Sequence, residues 1–158
     1  MATIHFMHGF VGYGKSTFAR KLAEKLGCKR ISMDDVYMEL NDGRSAINLS
    51  REDRAELLET TWQRIADEIN AGRDVIFDSG SWTRKNRDSN RARAIAIGAD
   101  YKHYSLDCTP EIAWQRVLKR NEDKPENAYP KSHFDEKFAF FQPMQPDEEF
   151  ELIPCENN

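Results

Sequence analysis

Thr3-Ile-His-Phe-Met7 leads into His8-Gly-Phe-Val-Gly-Tyr-Gly-Lys-Ser-Thr-Phe-Ala-Arg-Lys-Leu22, and the reading of this join decides the fold. Within it, Gly9 to Ser16 has the pattern G-x-x-x-x-G-K-S, set after a short β-prone run and before apolar residues at helical spacing (Phe18, Ala19, Leu22, Ala23, Leu26). That flanking context is what the pattern requires. A loop that wraps a phosphate must turn several backbone N–H groups inward. Glycine tolerates the angles involved and keeps Cβ atoms out of the way, so Gly9, Gly12 and Gly14 supply the freedom. The start of the following helix adds unpaired N–H groups and the positive end of its dipole. Lys15 is placed to reach β and γ phosphates, and Ser16 to ligate Mg²⁺. Gly9, Gly12, Tyr13, Gly14, Lys15, Ser16 and Thr17 are therefore the candidate ATP site. A dinucleotide fingerprint fits worse, because G-x-G-x-x-G would need glycine at Thr17 after Gly12 and Gly14.

Outward from the loop, strands and helices alternate. Gly27 closes the first helix, and Lys29 to Ser32 reads as a brief strand ending at Asp34 and Asp35. Ser50-Arg-Glu-Asp53 is a capping pattern ahead of Ala55, Leu58, Trp62, Ile65, Ala66 and Ile69, with Gly72 as the stop. Asp74-Val-Ile-Phe-Asp78 is an apolar run bounded by charge, as expected of a central strand buried on both faces. Thr83 caps a helix from Arg84 to Ile97, stopped at Gly98. Tyr101 to Leu106 is the next strand, and Pro110 opens a helix to about Arg120. Asn121 to Ser132 is polar and reads as a mobile loop, followed by a short helix near His133 to Phe141 and a last strand from Glu149 to Ile153. The expected fold is a three-layer α/β/α arrangement around a mainly parallel five-stranded sheet. It forms a single domain over residues 1–158 with a lid around 116–133, and ligand groups gather at the carboxyl ends of the strands.

The chain has 158 residues, the size of one domain with a real core, and a formal net charge of -4. An acidic balance disfavours a nucleic-acid partner gripped through a broad basic surface and favours a compact ligand. Cys28, Cys108 and Cys155 are odd in number and far apart, which argues against a disulfide framework or a zinc site and fits a reducing cytoplasm. No window approaches the roughly 18 apolar residues of a membrane span, so a soluble, cytoplasmic monomer or homodimer is expected.

The acids and arginines carry the rest. Asp78, at the end of the central strand, is a candidate Mg²⁺ ligand with Ser16. A carboxylate beside the γ phosphate can deprotonate an acceptor hydroxyl, and Asp34 or Asp35 can be that base. Adjacent acids point in different directions, so one should face the site, with Asp34 the choice, while the other caps the next helix; the bland reading has both merely starting that helix. Arg116 and Arg120 are four apart on one helix face and placed as a clamp on the transferring phosphoryl group. Asp35, Tyr37, Arg87 and Arg91 are candidate acceptor contacts, although the basic run from Arg84 to Arg93 equally suits a solvated face. Trp82 can stack on an aromatic acceptor, while Trp62 and Trp114 read as core. His8 packs or hydrogen-bonds beside the loop.

The stretches GFVGYGKST, ISMDDVY, DVIFDSGS and EIAWQRVLKRN, in this order, resemble the small P-loop kinases related to bacteriophage-type polynucleotide 5′-hydroxyl kinase and chloramphenicol phosphotransferase, a group also described as AAA-type ATP-binding domains. The resemblance covers most of the chain. It implies magnesium-ATP, a base at Asp34, acceptor-side help from Asp78, and lid arginines at Arg116 and Arg120. One departure stands out: polynucleotide kinases of this type carry an arginine shortly after the acid pair, where this chain has Tyr37. The reading that follows is an ATP-dependent phosphotransferase acting on a hydroxyl of a small molecule. A polynucleotide 5′-hydroxyl kinase and a nucleotide-binding ATPase switch are the rivals.

Overall fold

Thr3–His8 (β1) is apolar on alternate sides of the pleat, so it is buried from both faces and sits at the centre of the sheet. The computed structural model describes residues 1–44 and 49–155. Beyond β1 the chain runs through Lys15–Leu26 (α1), Lys29–Ile31 (β2), Met33–Leu40 (α2), Arg51–Asn70 (α3) and Val75–Phe77 (β3). Arg84–Ala96 (α4), Asp100–Leu106 (β4), Pro110–Asp123 (α5), a 3-10 turn at Pro125–Asn127, Lys131–Phe138 (α6) and Glu151–Ile153 (β5) complete it. The strands lie in the order β2-β3-β1-β4-β5, and every pairing is parallel. The sheet is thus wholly parallel where a mainly parallel one was expected. β1 lies between β3 and β4, so the chain leaves the centre first to one side and later to the other, and a crevice opens at the carboxyl end of β1.

The alternation of β1 divides the interior. Ile4 and Phe6 face one layer with Val75, Phe77, Trp62 and Ile65, while Met7 faces the other with Ile76, Ala19 and Tyr104. A third cluster, around Phe10, Ala113, Val117 and Phe134, lies beneath the loop after β1. Trp62 is core, and Trp114 is half-buried against Phe134 at a ring separation of 5.2 Å. The helix starts follow their local chemistry. Ser50 accepts from the Asp53 amide, Thr83 from Asn86 and Thr109 from Ile112, the last with Pro110 in the first turn. No helix among the described residues is long and apolar enough to cross a membrane.

Three boundaries depart from the sequence reading. The polar segment after Arg120 is bridged by Asn121, whose Oδ1 accepts from the Tyr129 amide at 2.7 Å while its Nδ2 donates to the Tyr129 carbonyl at 2.9 Å. α5 therefore runs on to Asp123 and α6 starts at Lys131. The last strand begins at Glu151 rather than Glu149, because Glu148 is drawn into a turn, its amide donating to Gln145 at 2.9 Å.

Candidate active site

The loop after β1 is held at both ends and left open in the middle. Gly9 donates its amide to the Gly80 carbonyl at 3.2 Å and accepts from Trp82 Nε1 at 3.2 Å, which ties the loop to the segment following β3. Phe10 is completely buried, its ring 4.8 Å from Trp82 and 5.0 Å from Phe134, so the variable positions of the motif anchor it in an aromatic cluster. Gly12 has φ 81° and lies so close to α5 that a Cβ would come 2.5 Å from the Ala113 carbonyl oxygen. Gly14, at φ 92°, is the left-handed residue that starts α1 with no side-chain cap. Since the first intrahelical bond runs from Phe18 N to Gly14 O, at 3.0 Å, the amides of Lys15, Ser16 and Thr17 have no acceptor one turn earlier. They look out along the helix axis, where the dipole favours an anion.

Lys15 reinforces this. Its Nζ donates to the Phe10 carbonyl at 2.9 Å. Burial pushes its ammonium down to about 8, against the pull of Asp78 and aided by Arg120. The half-buried Ser16 and the exposed Thr17 line the same cleft, whose volume is about 1090 Å³.

On the far wall, Arg30 organises the acids. It is the residue that sequence reasoning missed. Arg30 Nε and Nη2 both donate to Asp78 Oδ2, at 2.8 and 2.7 Å, and Nη1 donates to Asp35 Oδ2 at 2.6 Å. Asp78 is buried at the end of β3, its amide bonded to the Ile31 carbonyl of β2, and its Oδ1 has no partner among the described residues. Ser32, not an aspartate, caps α2, accepting from the Asp35 amide at 3.1 Å. Asp34 and Asp35 both stand in its first turn and line the cleft. They differ in partners: Arg30 engages Asp35, while Asp34 has no hydrogen bond or ion pair among the described residues. Partial desolvation in the cleft, then the charge of Asp35, raise the Asp34 carboxyl above its ordinary value.

The arginines divide into two groups. Arg116 and Arg120 both line the cleft. Arg116 Nη1 donates to the Gly12 carbonyl at 3.2 Å, so α5 touches the loop directly, and Arg120 projects exposed from the next turn. Arg87 and Arg91, expected as acceptor contacts, are not in the cleft. Arg87 is 0% exposed, forked onto Glu148 at 2.8 and 2.9 Å and bonded to the carbonyls of Ser81, Gln142 and Pro143. Arg91 donates to Glu148 and Asp88, each at 2.7 Å. Both secure the C-terminal segment, and although burial opposes ionisation, Arg87 and Arg91 hold the Glu148 carboxyl at about 2. Tyr37 packs against the core beside Val36 instead of lining the cleft. Trp82 does line it, but its indole is occupied with Gly9 and Phe10. His8 Nδ1 lies 2.9 Å from the Ser81 carbonyl, with its ring stacked on Phe141.

This geometry gives the comparisons with known proteins their meaning. A family model described as an AAA domain matches residues 4–144, which contain the loop, both acid positions and α5. The chain belongs to this AAA-domain family. A search among curated proteins finds no match. Among solved structures, a sugar kinase from Janibacter sp. HTCC2649 is similar at a TM-score of 0.68 and 21% identity, over 100% of this chain and 87% of that one. Kti12 from Chaetomium thermophilum, solved with ADP-AlF3, is similar at 0.76 and 18%, over 98% and 90%. The APS kinase CysC from Mycobacterium tuberculosis, solved with AMPPNP and APS, is similar at 0.70 and 18%, over 99% and 90%. The AAA-domain chain therefore has the fold of the P-loop kinases.

Proposed function

We propose that this AAA-domain chain is an ATP-dependent kinase that transfers the γ-phosphoryl group of ATP to a hydroxyl of a small-molecule acceptor. One observation carries the reading: a glycine loop and uncapped helix start, built for an anion, share a cleft with a carboxylate, Asp34, that has no hydrogen bond or ion pair among the described residues. A loop whose outward amides and half-buried lysine face the cleft fits a triphosphate. The Ser16 hydroxyl and the open Asp78 Oδ1 are the hard oxygen donors that suit Mg²⁺. No cluster of three His, Cys, Asp or Glu among the described residues could hold a metal, so such an ion would need nucleotide oxygens as well.

Bound at this loop, magnesium-ATP supplies the phosphoryl group and the cation that neutralises its charge. The chain's own residues do the rest. The amides from Gly12 to Ser16 and the Lys15 ammonium fix the phosphates, while Arg116, bonded to the loop at Gly12, and Arg120 one turn further along α5 add positive charge beside them. Asp34 accepts the proton of the acceptor hydroxyl, its raised pKa keeping it basic enough to do so. Asp35 and Asp78, fixed by Arg30, shape the wall against which the acceptor lies. The segment 116–133 acts as the lid of a single domain, and we place the enzyme in the cytoplasm, as a monomer or homodimer. The experiment is a screen of hydroxyl-bearing metabolites, antibiotics, nucleosides and oligonucleotides with γ-labelled ATP. Label on a small molecule supports the reading, and turnover that reaches only water or only an oligonucleotide end rejects it.

A further inference from the structure

The three cysteines are far apart in the sequence, which argues against a disulfide framework, but β4 and β5 bring two of them together. Leu106 pairs with Ile153 in the parallel ladder, and the Asp107 amide continues it to the Ile153 carbonyl at 2.8 Å. Cys108 and Cys155 each lie two residues further along, so they share a register and a face. Neighbouring strands lie ~4.8 Å apart, and a disulfide needs Cα atoms separated by ~4.4–6.8 Å. In the structure both are thiols, with Cys155 Sγ 3.5 Å from Cys108 Sγ. Neither is fully buried, and Cys155 lines the nucleotide cleft.

The pair is wired to the phosphate loop by one side chain. Arg116 Nη2 lies 3.4 Å from Cys155 Sγ, and its Nη1 donates to the Gly12 carbonyl. We propose that Cys108 and Cys155 are a reversible oxidation site, closed to a disulfide by a peroxide, which weakens nucleotide binding through Arg116. The second half rests on the reading of Gly9 to Ser16 as the nucleotide loop; the first does not.

The chemistry balances. Cys155 Sγ, beside Arg116, attacks a peroxide oxygen while its proton passes to the departing oxygen, breaking the O–O bond to leave a sulfenic acid and water. Burial and the neighbouring Cys155 push the Cys108 thiol up to about 11, so Cys108 is still a thiol when Cys155 has reacted, and its proton passes to the leaving hydroxyl in the second step. Cys108 sulfur then displaces the hydroxyl as water, forming the S–S bond. Two thiols have lost two electrons to one peroxide, and two waters result. Closing the sulfurs from 3.5 Å to the ~2.05 Å of a disulfide draws Cys155 away from Arg116, which then loses an anchor that helps to hold it against the loop.

The test treats the full chain with hydrogen peroxide, quenches it, and counts thiols under denaturing conditions while peptides are mapped by mass spectrometry. The expected result is three thiols before and one after, with Cys108 linked to Cys155, Cys28 unmodified, and dithiothreitol restoring all three. ATP affinity should fall at least about fivefold on oxidation, within the usual range of coupling between sites, and recover on reduction. Cys28→Ser should behave like the parent, whereas Cys108→Ser and Cys155→Ser should keep their affinity after peroxide. Three remaining thiols, or a linkage involving Cys28, would overturn the site. A mapped Cys108–Cys155 bond with unchanged ATP affinity would overturn the coupling. Failure of the reduced protein to bind ATP would overturn the nucleotide reading alone.

Discussion

Arg30 places two of its nitrogens on a single oxygen of Asp78, Nε at 2.8 Å and Nη2 at 2.7 Å, and so leaves the other carboxylate oxygen of this cleft-lining residue without a partner among the described residues. The Asp78 side chain is only 3% exposed and that of Arg30 16%. Removing the cation strands a buried charge. Arg30→Gln should cost about 3–5 kcal/mol of stability in urea unfolding, the scale for a broken buried pair. Arg30→Gln with Asp78→Asn should recover a good part of it; a double variant no better than the single would show that the pair is not the source.

Asp34 and Asp35 share a turn but not a partner, and their variants should separate accordingly. Asp34→Asn is expected to lose roughly 10²–10⁴ in transfer rate while still binding ATP, the range for a removed general base. Asp35→Asn should retain most of the rate. For the parent, transfer should rise with pH through a carboxyl value above the ordinary one and then level off, because only ionised Asp34 can accept the proton. A rate insensitive to Asp34→Asn would remove it from the chemistry.

The Lys15 ammonium titrates near 8 in the absence of nucleotide, and bound phosphates would hold it charged. Below pH 8 it is protonated in both states, so ATP affinity should be flat. Above pH 8 binding must take up a proton, and affinity should fall by up to about tenfold per pH unit, which is the linkage for one proton. Titration calorimetry in two buffers of different ionisation heat measures that proton directly. Lys15→Arg, always charged, should abolish the slope.

Arg87 and Glu148 form the most deeply buried ion pair among the described residues, with side chains 0% and 1% exposed. Arg87→Ala should destabilise the fold by about 3–5 kcal/mol, again because a charge is left buried. At a temperature where the variant remains folded, its KM for acceptor should match the parent's, since Arg87 does not reach the cleft. A large KM change in a stably folded variant would place it in acceptor binding after all.

Neither ring nitrogen of the buried His103 has a hydrogen-bond partner among the described residues, and burial, then Arg91, lower its pKa to about 4. The unfolded chain therefore takes up a proton first, and stability should drop as pH falls from 6.5 toward 4. His8, also at about 4, acts in the same direction. His103→Leu should raise stability by about 1–3 kcal/mol, the usual cost of an unpaired buried polar group, and flatten part of the acid slope seen in urea midpoints. An unchanged slope would mean that His103 finds a partner in solution.

What could be read in the sequence was local. The strand, glycine loop and helix from Thr3 to Leu26, the caps at Ser50 and Thr83, and the stop at Gly27 each depend on residues within a few positions, and the structure bears them out. The pairs that shape the cleft depend instead on strand order. Arg30 meets Asp78 only because β2 lies beside β3, and Cys108 meets Cys155 only because β5 lies beside β4. Periodicity carries no information on such neighbours. Arg87 was misplaced for a related reason: an arginine among five basic residues looks like solvent-facing charge until Glu148, 61 residues away, folds onto it.

The central claim is that the loop from Gly9 to Ser16 holds a triphosphate with Lys15 beside it. Titrating magnesium-ATP into the parent and into Lys15→Ala at pH 7 tests it most directly. Tight, saturable binding to the parent and at least about 100-fold weaker binding to a folded Lys15→Ala is the predicted outcome, given what a buried charged contact is worth. Equal affinities, or no heat from either protein, would contradict it.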